Sequence, residues 1–278
     1  MLLVAKPAGP TSHDVVDVVR RALGMSRVGH LGTLDPFAAG LLIVVVGRAT
    51  RLARFAAGWR KAYEGVIRLG ATTTTDDPAG EPVRVTDAWR GVDRSAVESA
   101  FAGFRGPIRQ RPPSHSAVKV AGERAYRRAR RGEAVVLADR PVEIVEFTLT
   151  DFTPPDVGFR ATVSGGTYLR SLARDVGEAL RCGAHLAALT RTAVGPFPLA
   201  DAKPPEAVTA ADLRPAALLV GDLPRRALAA GERDAVVHGR SLPAIDAADR
   251  VALFAGEELV AVGERLGDVV KPRVVVAD

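Results

Sequence analysis

Six consecutive apolar residues, Leu41-Leu42-Ile43-Val44-Val45-Val46, follow directly on the run Gly29-His30-Leu31-Gly32-Thr33-Leu34-Asp35-Pro36-Phe37-Ala38-Ala39-Gly40. A short apolar stretch of this kind reads as a buried strand. The turn ahead of it, with three glycines, one proline and one carboxylate, therefore has a rigid scaffold behind it. A single Asp held in such a turn points to a positioned nucleophile or base. Asp in a Gly/Pro turn also caps its own backbone, and on these residues alone both readings of Asp35 stand. His30 and the three glycines leave room for a ligand to approach.

Charge bears on what that ligand is. The net charge is +6, and residues 1–68 hold ten Lys or Arg against four Asp or Glu. Between Arg105 and Arg131 nine basic residues face only Glu123. Positive charge concentrated in two segments suits a polyanion, most simply nucleic acid. An Arg-rich solvated surface is the alternative, since only five of the 38 basic residues are Lys. One cysteine, Cys182, excludes an intrachain disulfide and shows no metal spacing. His13, His30, His115, His185 and His238 make no i,i+3 or i,i+4 pair, so no metal site is expected. There is no P-loop, dinucleotide fingerprint or nucleophile elbow. No apolar run is long enough for a membrane span, and a cytoplasmic protein is expected.

Periodicity predicts a helix over residues 14–23, capped by Thr11 or Ser12 and stopped by Gly24. Strands are expected at 41–46, 61–69, 142–152 and 159–163, and helices at 95–104 and 168–180. Residues 72–80 read as a loop, 109–120 as irregular and 121–131 as a basic helix or mobile arm. Without a regular βαβ rhythm, the class is α+β. After Phe197 an Ala/Pro-rich connector with one short helix, residues 200–225, leads into short strands at 250–254, 258–262 and 273–276. That C-terminal β module is small enough that it should pack on the main domain.

Two further residues stand out. Arg170 falls in a helix's first turn, where the dipole disfavours a cation, which implies an acidic or anionic partner; a surface Arg with its stem on the core is the alternative. Tyr63, one of three tyrosines, is either strand packing or a platform for a base.

The run at 29–42 resembles the signature of the TruB-type pseudouridine synthases. Lys6-Pro7-Ala8-Gly9-Pro10-Thr11-Ser12 resembles that family's opening motif, and Lys61-Ala62-Tyr63 with Leu69-Gly70 its tyrosine strand. Gln110-Arg111-Pro112-Pro113 with Ser116-Ala117-Val118-Lys119, and Gly165-Gly166-Thr167-Tyr168-Leu169-Arg170 with Gly183-Ala184-His185-Leu186, resemble the later blocks. The sequence departs from the pattern at Thr74, His115, Val163, Gly165 and Thr190.

The resemblance implies an α+β fold with a mixed or antiparallel central sheet and flanking helices. It places a catalytic domain over residues 1–221, a thumb-like basic segment near 105–140, and a PUA-like RNA-binding module over 222–278. It implies isomerisation of uridine 55 in the tRNA T loop, by base flipping, glycosidic cleavage and reattachment through C5, without cofactor, metal or obligate protein partner. By resemblance Asp35 is the catalytic carboxylate, Arg170 its ion-pair partner, expected to lower its pKa, and Tyr63 the residue stacking on the base. His30, Tyr168, Lys6, Arg51, Lys119, Arg124, Arg127, Arg128 and Arg131 are the expected RNA contacts. A guide-RNA-dependent synthase and a non-catalytic tRNA-binding or chaperone protein are the alternatives.

Overall fold

The computed structural model describes residues 1–116, 119, 120, 123, 124, 128, 131, 133, 137–245 and 247–277, with the backbone alone at 119, 120 and 124. The N-terminal part runs β1 (Leu2–Lys6), α1 (Ser12–Leu23), β2 (Val28–Leu31), β3 (Ala39–Val46), β4 (Lys61–Leu69), β5 (Ala71–Thr73), β6 (Pro82–Val85) and α2 (Arg94–Gly103). It continues through β7 (Gly106–Gln110), β8 (Lys119–Val120), β9 (Glu123–Arg124), β10 (Arg140–Thr153), β11 (Asp156–Val163), α3 (Leu169–Ala179), β12 (Ala184–Val194) and β13 (Phe197–Pro198).

Seven strands form the main path of the central sheet in the order β1-β3-β12-β4-β11-β10-β7, with β2 added beside β3 and β13 beside β12. The β3–β12 pair is parallel and the rest of the path is antiparallel, so the sheet is mixed and the class is α+β.

Strand β3 shows why residues 41–46 carry no polar alternation. Leu42, Val44 and Val46 pack with Val15, Val16 and Val19 of α1. Leu41, Ile43 and Val45 face the other way, into a cluster containing Phe254, Leu259 and Val262 of the C-terminal module. A strand covered on both faces has no water-facing side, and each such buried side chain contributes about 2 kcal/mol by transfer from water. Helix α1 is held at its start by a Thr11–Asp14 capping box and at its end by Gly24 at φ 62°. Helix α3 lays Leu172, Ala173 and Val176 against Ile67, Leu186 and Phe159 in a second cluster, which fixes where its first turn meets the sheet.

The C-terminal part comprises β14 (Arg225–Ala227), α4 (Glu232–Val237), β15 (Leu242–Pro243), β16 (Arg250–Ala255), β17 (Glu258–Leu266) and β18 (Val269–Val275), in a sheet ordered β14-β16-β17-β18-β15. It has a core of its own around Val236, Leu253 and Val260, and shares the β3 cluster with the main domain. No helix among the described residues is long and apolar enough to cross a membrane.

Several expectations need correction. Strands β1, β2 and β12 were not anticipated, and β12 is the interior strand that joins β3 to β4. It alternates poorly because bulges at Leu186/Ala188 and Arg191/Ala193 shift its register against β4. The expected irregular stretch 109–120 overlaps β7, which pairs with β10, and β8. The expected loop 72–80 overlaps β5, which forms a hairpin with β6. The connector contains short 3₁₀ turns in place of one helix. The 121–131 segment falls mostly outside the described residues.

Candidate active site

The Asp35 turn, between β2 and β3, has few backbone hydrogen bonds of its own. Side chains from three distant elements hold it. Lys6 Nζ, at the end of β1, donates to Pro36 O (3.3 Å) and Ala38 O (2.6 Å) as well as to Pro7 O. Ser12 Oγ, at the start of α1, donates to Leu34 O (2.9 Å) and accepts from Leu34 N (2.8 Å). Arg191, on β12, donates from Nε to Leu41 O (2.7 Å) and from Nη2 to Gly32 O (3.0 Å). Buried carbonyls demand donors, so each of these contacts is worth more here than at a surface. Gly40 at φ 113° lies flat on β12, where an added Cβ would stand 2.3 Å from Arg191 O.

Asp35 projects from this clamped turn with its side chain 35% exposed, against 6% for Arg170. Arg170 Nε lies 2.9 Å from Asp35 Oδ2, a charge contact off the hydrogen-bond line, since Nε itself makes no hydrogen bond. Arg170 Nη2 donates to Asp35 Oδ1 at 3.3 Å and to His115 O at 2.9 Å. Its Nη1 donates to Thr75 O at 3.0 Å and lies 3.3 Å from the buried carboxylate of Asp77. One guanidinium thus joins two carboxylates and two carbonyls, a use of the planar fork that an ammonium cannot copy.

Asp77 is itself aimed by Thr75 Oγ1 (2.5 Å) and Ala79 N (3.0 Å), both donating to its Oδ1. The start of α3 is set by Gln110, which accepts from Tyr168 N (2.9 Å) and donates to Tyr168 O (3.1 Å).

Arg170 does pull the Asp35 pKa down, as expected of an ion-pair partner, but the net shift is upward. Burial pushes the carboxyl above its ordinary value, Arg170 and then Lys6 pull it down, and Asp77 pushes it up. Desolvation of the anion outweighs its partner here, and a second carboxylate shares that partner.

Asp35 opens into a cleft of about 300 Å³ lined by Tyr63, Lys61, Leu189, Tyr168, His115 and Arg191 among others. Tyr63 and Lys61 are two residues apart on β4 and so share one face. Burial, with Arg191 adding like charge, lowers the Lys61 pKa to about 8. Burial raises that of the Tyr168 hydroxyl. Among the described residues no three His, Cys, Asp or Glu side chains gather to hold a metal.

The expected RNA contacts fare unevenly. Tyr168 lines the cleft. Lys6 is 1% exposed, so it braces the turn and offers nothing to a ligand; its ammonium is spent on three carbonyls. His30 sits on β2, outside the cleft lining, with Nδ1 buried and unbonded among the described residues. Arg51 is exposed but donates to Val275 O (2.8 Å) in the C-terminal sheet. Arg131 is held by both oxygens of Glu123 (2.7 and 2.8 Å) and by Glu133 (2.8 Å), and Arg128 by Glu133 (2.7 Å). Those two arginines are therefore not free positive charges. Arg127 lies outside the described residues, as do the side chains of Lys119 and Arg124.

Sequence reasoning missed Asp77, Ser12 as a clamp, Arg191 and Lys61. The pair Asp76-Asp77 in a Thr-rich turn was the available signal for the first. Nothing local marked Arg191, because its partners are 150 and 159 residues away in sequence.

Comparison with known proteins gives two matches to family models. Residues 20–169 match the TruB family pseudouridylate synthase (N terminal domain), and residues 170–229 the tRNA pseudouridylate synthase B C-terminal domain. A curated relative from Thermobifida fusca, tRNA pseudouridine synthase B, is 46% identical, with 100% of this chain and 98% of that protein aligned. A protein of the same name from Symbiobacterium thermophilum is 48% identical over 86% of this chain and 81% of its own length. Among solved structures, a Cbf5–Nop10–Gar1 complex contains a chain that superposes with a TM-score of 0.73 at 27% identity, covering 99% of this chain and 84% of that one.

Proposed function

This chain belongs to the TruB family of pseudouridylate synthases, and we propose that it isomerises the T-loop uridine 55 of tRNA to pseudouridine with Asp35 as the reacting carboxylate. The observation that carries the assignment is the Asp35–Arg170 contact at 2.9 Å, at the mouth of a cleft walled by Tyr63. The reaction breaks N1–C1′ and joins C5 to C1′ of the same nucleotide. It gains and loses no atoms beyond one exchanged proton, so it requires no cofactor.

A uridine stacked in a folded loop has to be extruded, at a cost of a few kcal/mol. The cleft volume, at the low end for small-molecule sites, suits one nucleotide and not a duplex. Tyr63 and Leu189 offer the base an apolar wall. Arg170 holds Asp35 in the cleft that Tyr63 also lines. As N1 departs, positive character develops on the sugar, and an oriented anion beside it stabilises it.

Residues 222–278 form the PUA-like module in this reading, one that meets the tRNA backbone through positioning contacts. A cytoplasmic location is part of the same proposal and is consistent with a tRNA-modifying role. The test is to incubate the purified chain with an unmodified tRNA transcript and map pseudouridine by carbodiimide-stop sequencing. A single stop at the T-loop uridine is expected. Asp35→Asn is expected to give none while binding tRNA as before, and turnover by that variant near the wild-type rate sinks the role of Asp35. A guide-RNA-dependent enzyme would be inactive on bare tRNA.

A further inference from the structure

We propose that Lys61, with the buried Arg191 behind it as a fixed charge, forms an anion subsite that receives a phosphodiester flanking the flipped uridine. The inference rests on the proposed reaction and adds to it a group the substrate must present. Both side chains line the Asp35 cleft. They meet over Gly32, where an added Cβ would stand 3.2 Å from Lys61 Cε and 3.5 Å from Arg191 Nη1. The absent side chain leaves that space open to a ligand.

Lys61 is the head with donors to offer. Lys61 Nζ spends one proton on Trp59 O at 2.9 Å, leaving two of its three. Arg191, 1% exposed, uses Nε and Nη2 on the turn carbonyls and so contributes charge to the subsite and not a contact.

Neither head has a carboxylate partner among the described residues. The nearby acids are engaged elsewhere: Asp35 and Asp77 by Arg170, and Glu64 by Arg160. The charged group facing Lys61 is Arg191 itself, from the adjoining strand. Cations withdrawn from water are ordinarily paired, and a half-buried Lys61 on a ligand cleft, beside the buried charge of Arg191, calls for an anion from the ligand. Uracil and ribose are neutral, so the phosphodiester is the anion the substrate supplies. An anion here also draws a proton onto Lys61, whose free-state pKa lies near 8.

The experiment measures binding of T stem-loop RNAs, each with one phosphate near the target uridine replaced by a neutral methylphosphonate. Asp35→Asn protein serves as the host, so that no turnover occurs. With Lys61 present, neutralising one flanking phosphate should weaken binding on the order of tenfold, as loss of a charge-assisted hydrogen bond does. In Lys61→Met the unmodified RNA should bind about tenfold weaker, and the same replacement should cost nothing more. Lys61→Arg should restore affinity and hold it flat from about pH 7 to 9, whereas the Lys61 protein weakens as its ammonium deprotonates. Equal methylphosphonate sensitivity in Lys61 and Lys61→Met proteins at about pH 7, where the ammonium is charged, overturns the subsite. Wild-type conversion of the unmodified RNA is run alongside. If conversion is absent, the proposed reaction fails; if it is present without coupling, the subsite alone fails.

Discussion

Arg170→Lys keeps the charge at the centre of the site and removes only the fork. In the structure one guanidinium serves Asp35, Asp77, Thr75 O and His115 O together. An ammonium that stays on Asp35 abandons Asp77, which is 7% exposed, and both carbonyls. Breaking one side of a buried ion pair costs roughly 3–5 kcal/mol. Retention of one charge contact, and the partial exposure of Asp35 to the cleft, place the expected loss at the lower end, about 3 kcal/mol. For a chain of this size that corresponds to a melting temperature lower by roughly 6–12 °C.

The chemical effect is separable, because Asp35 loses its second point of attachment. A misplacement of about 1 Å costs on the order of 10²-fold in rate, equivalent to about 2.7 kcal/mol on the barrier. The assay is single-turnover release of tritium from C5-labelled tRNA at saturating enzyme, well below the variant's melting temperature. A rate within about threefold of wild type, with an unchanged melting temperature, would refute the argument that one planar cation aims both carboxylates.

Two other perturbations follow from the same geometry. The Asp77 charge raises the Asp35 pKa, so Asp77→Asn should lower it. If ionised Asp35 is the active form, the acid limb of the single-turnover pH profile should then move to lower pH; movement to higher pH would contradict the sign. Gly40→Ala places a Cβ 2.3 Å from Arg191 O at φ 113°. It should cost about 2–4 kcal/mol from left-handed strain and strand separation, read as a lower urea midpoint. Stability within 0.5 kcal/mol of wild type, roughly the scatter of harmless surface changes, would show that the parallel β3–β12 contact is looser than described.

Local chemistry was readable in the sequence and long-range chemistry was not. The β3 strand, the capped α1 helix and the apolar stripe of α3 follow from runs and periods of a few residues. The acidic partner of Arg170 was inferred from one adverse feature, a cation in a helix's first turn, and the structure puts Asp35 and Asp77 there. Strand β12 escaped because bulges break its alternation, and its Arg191 escaped with it. Lys6 was misassigned for a related reason. A Lys beside Pro and Gly near the N-terminus looks exposed, and only the fold reveals that the carbonyls of residues 36 and 38 close over it. For the Asp35 pKa the lowering by Arg170 was foreseen, but neither the loss of water around Asp35 nor the second carboxylate competing for Arg170, which together reverse the net direction.

That balance bears on catalysis in the proposed reaction. An Asp whose anion is costly in the free enzyme has more to gain from a neighbouring cation than one already satisfied by solvent. Uridine in the ground state is neutral and offers no such cation. The sugar acquires one only as N1–C1′ breaks, so the stabilisation arises in the transition state and not on binding. Arg170 works in the opposite direction, lowering the cost of the anion enough to keep it ionised and aimed. Sharing Arg170 with Asp77 limits that compensation and leaves part of the Asp35 charge uncompensated. A single-carboxylate network with an undivided Arg would hold a more stable anion and, by this reasoning, a less responsive one. Asp77→Asn tests that directly: its lower Asp35 pKa should be accompanied by a slower rate on the plateau of the pH profile.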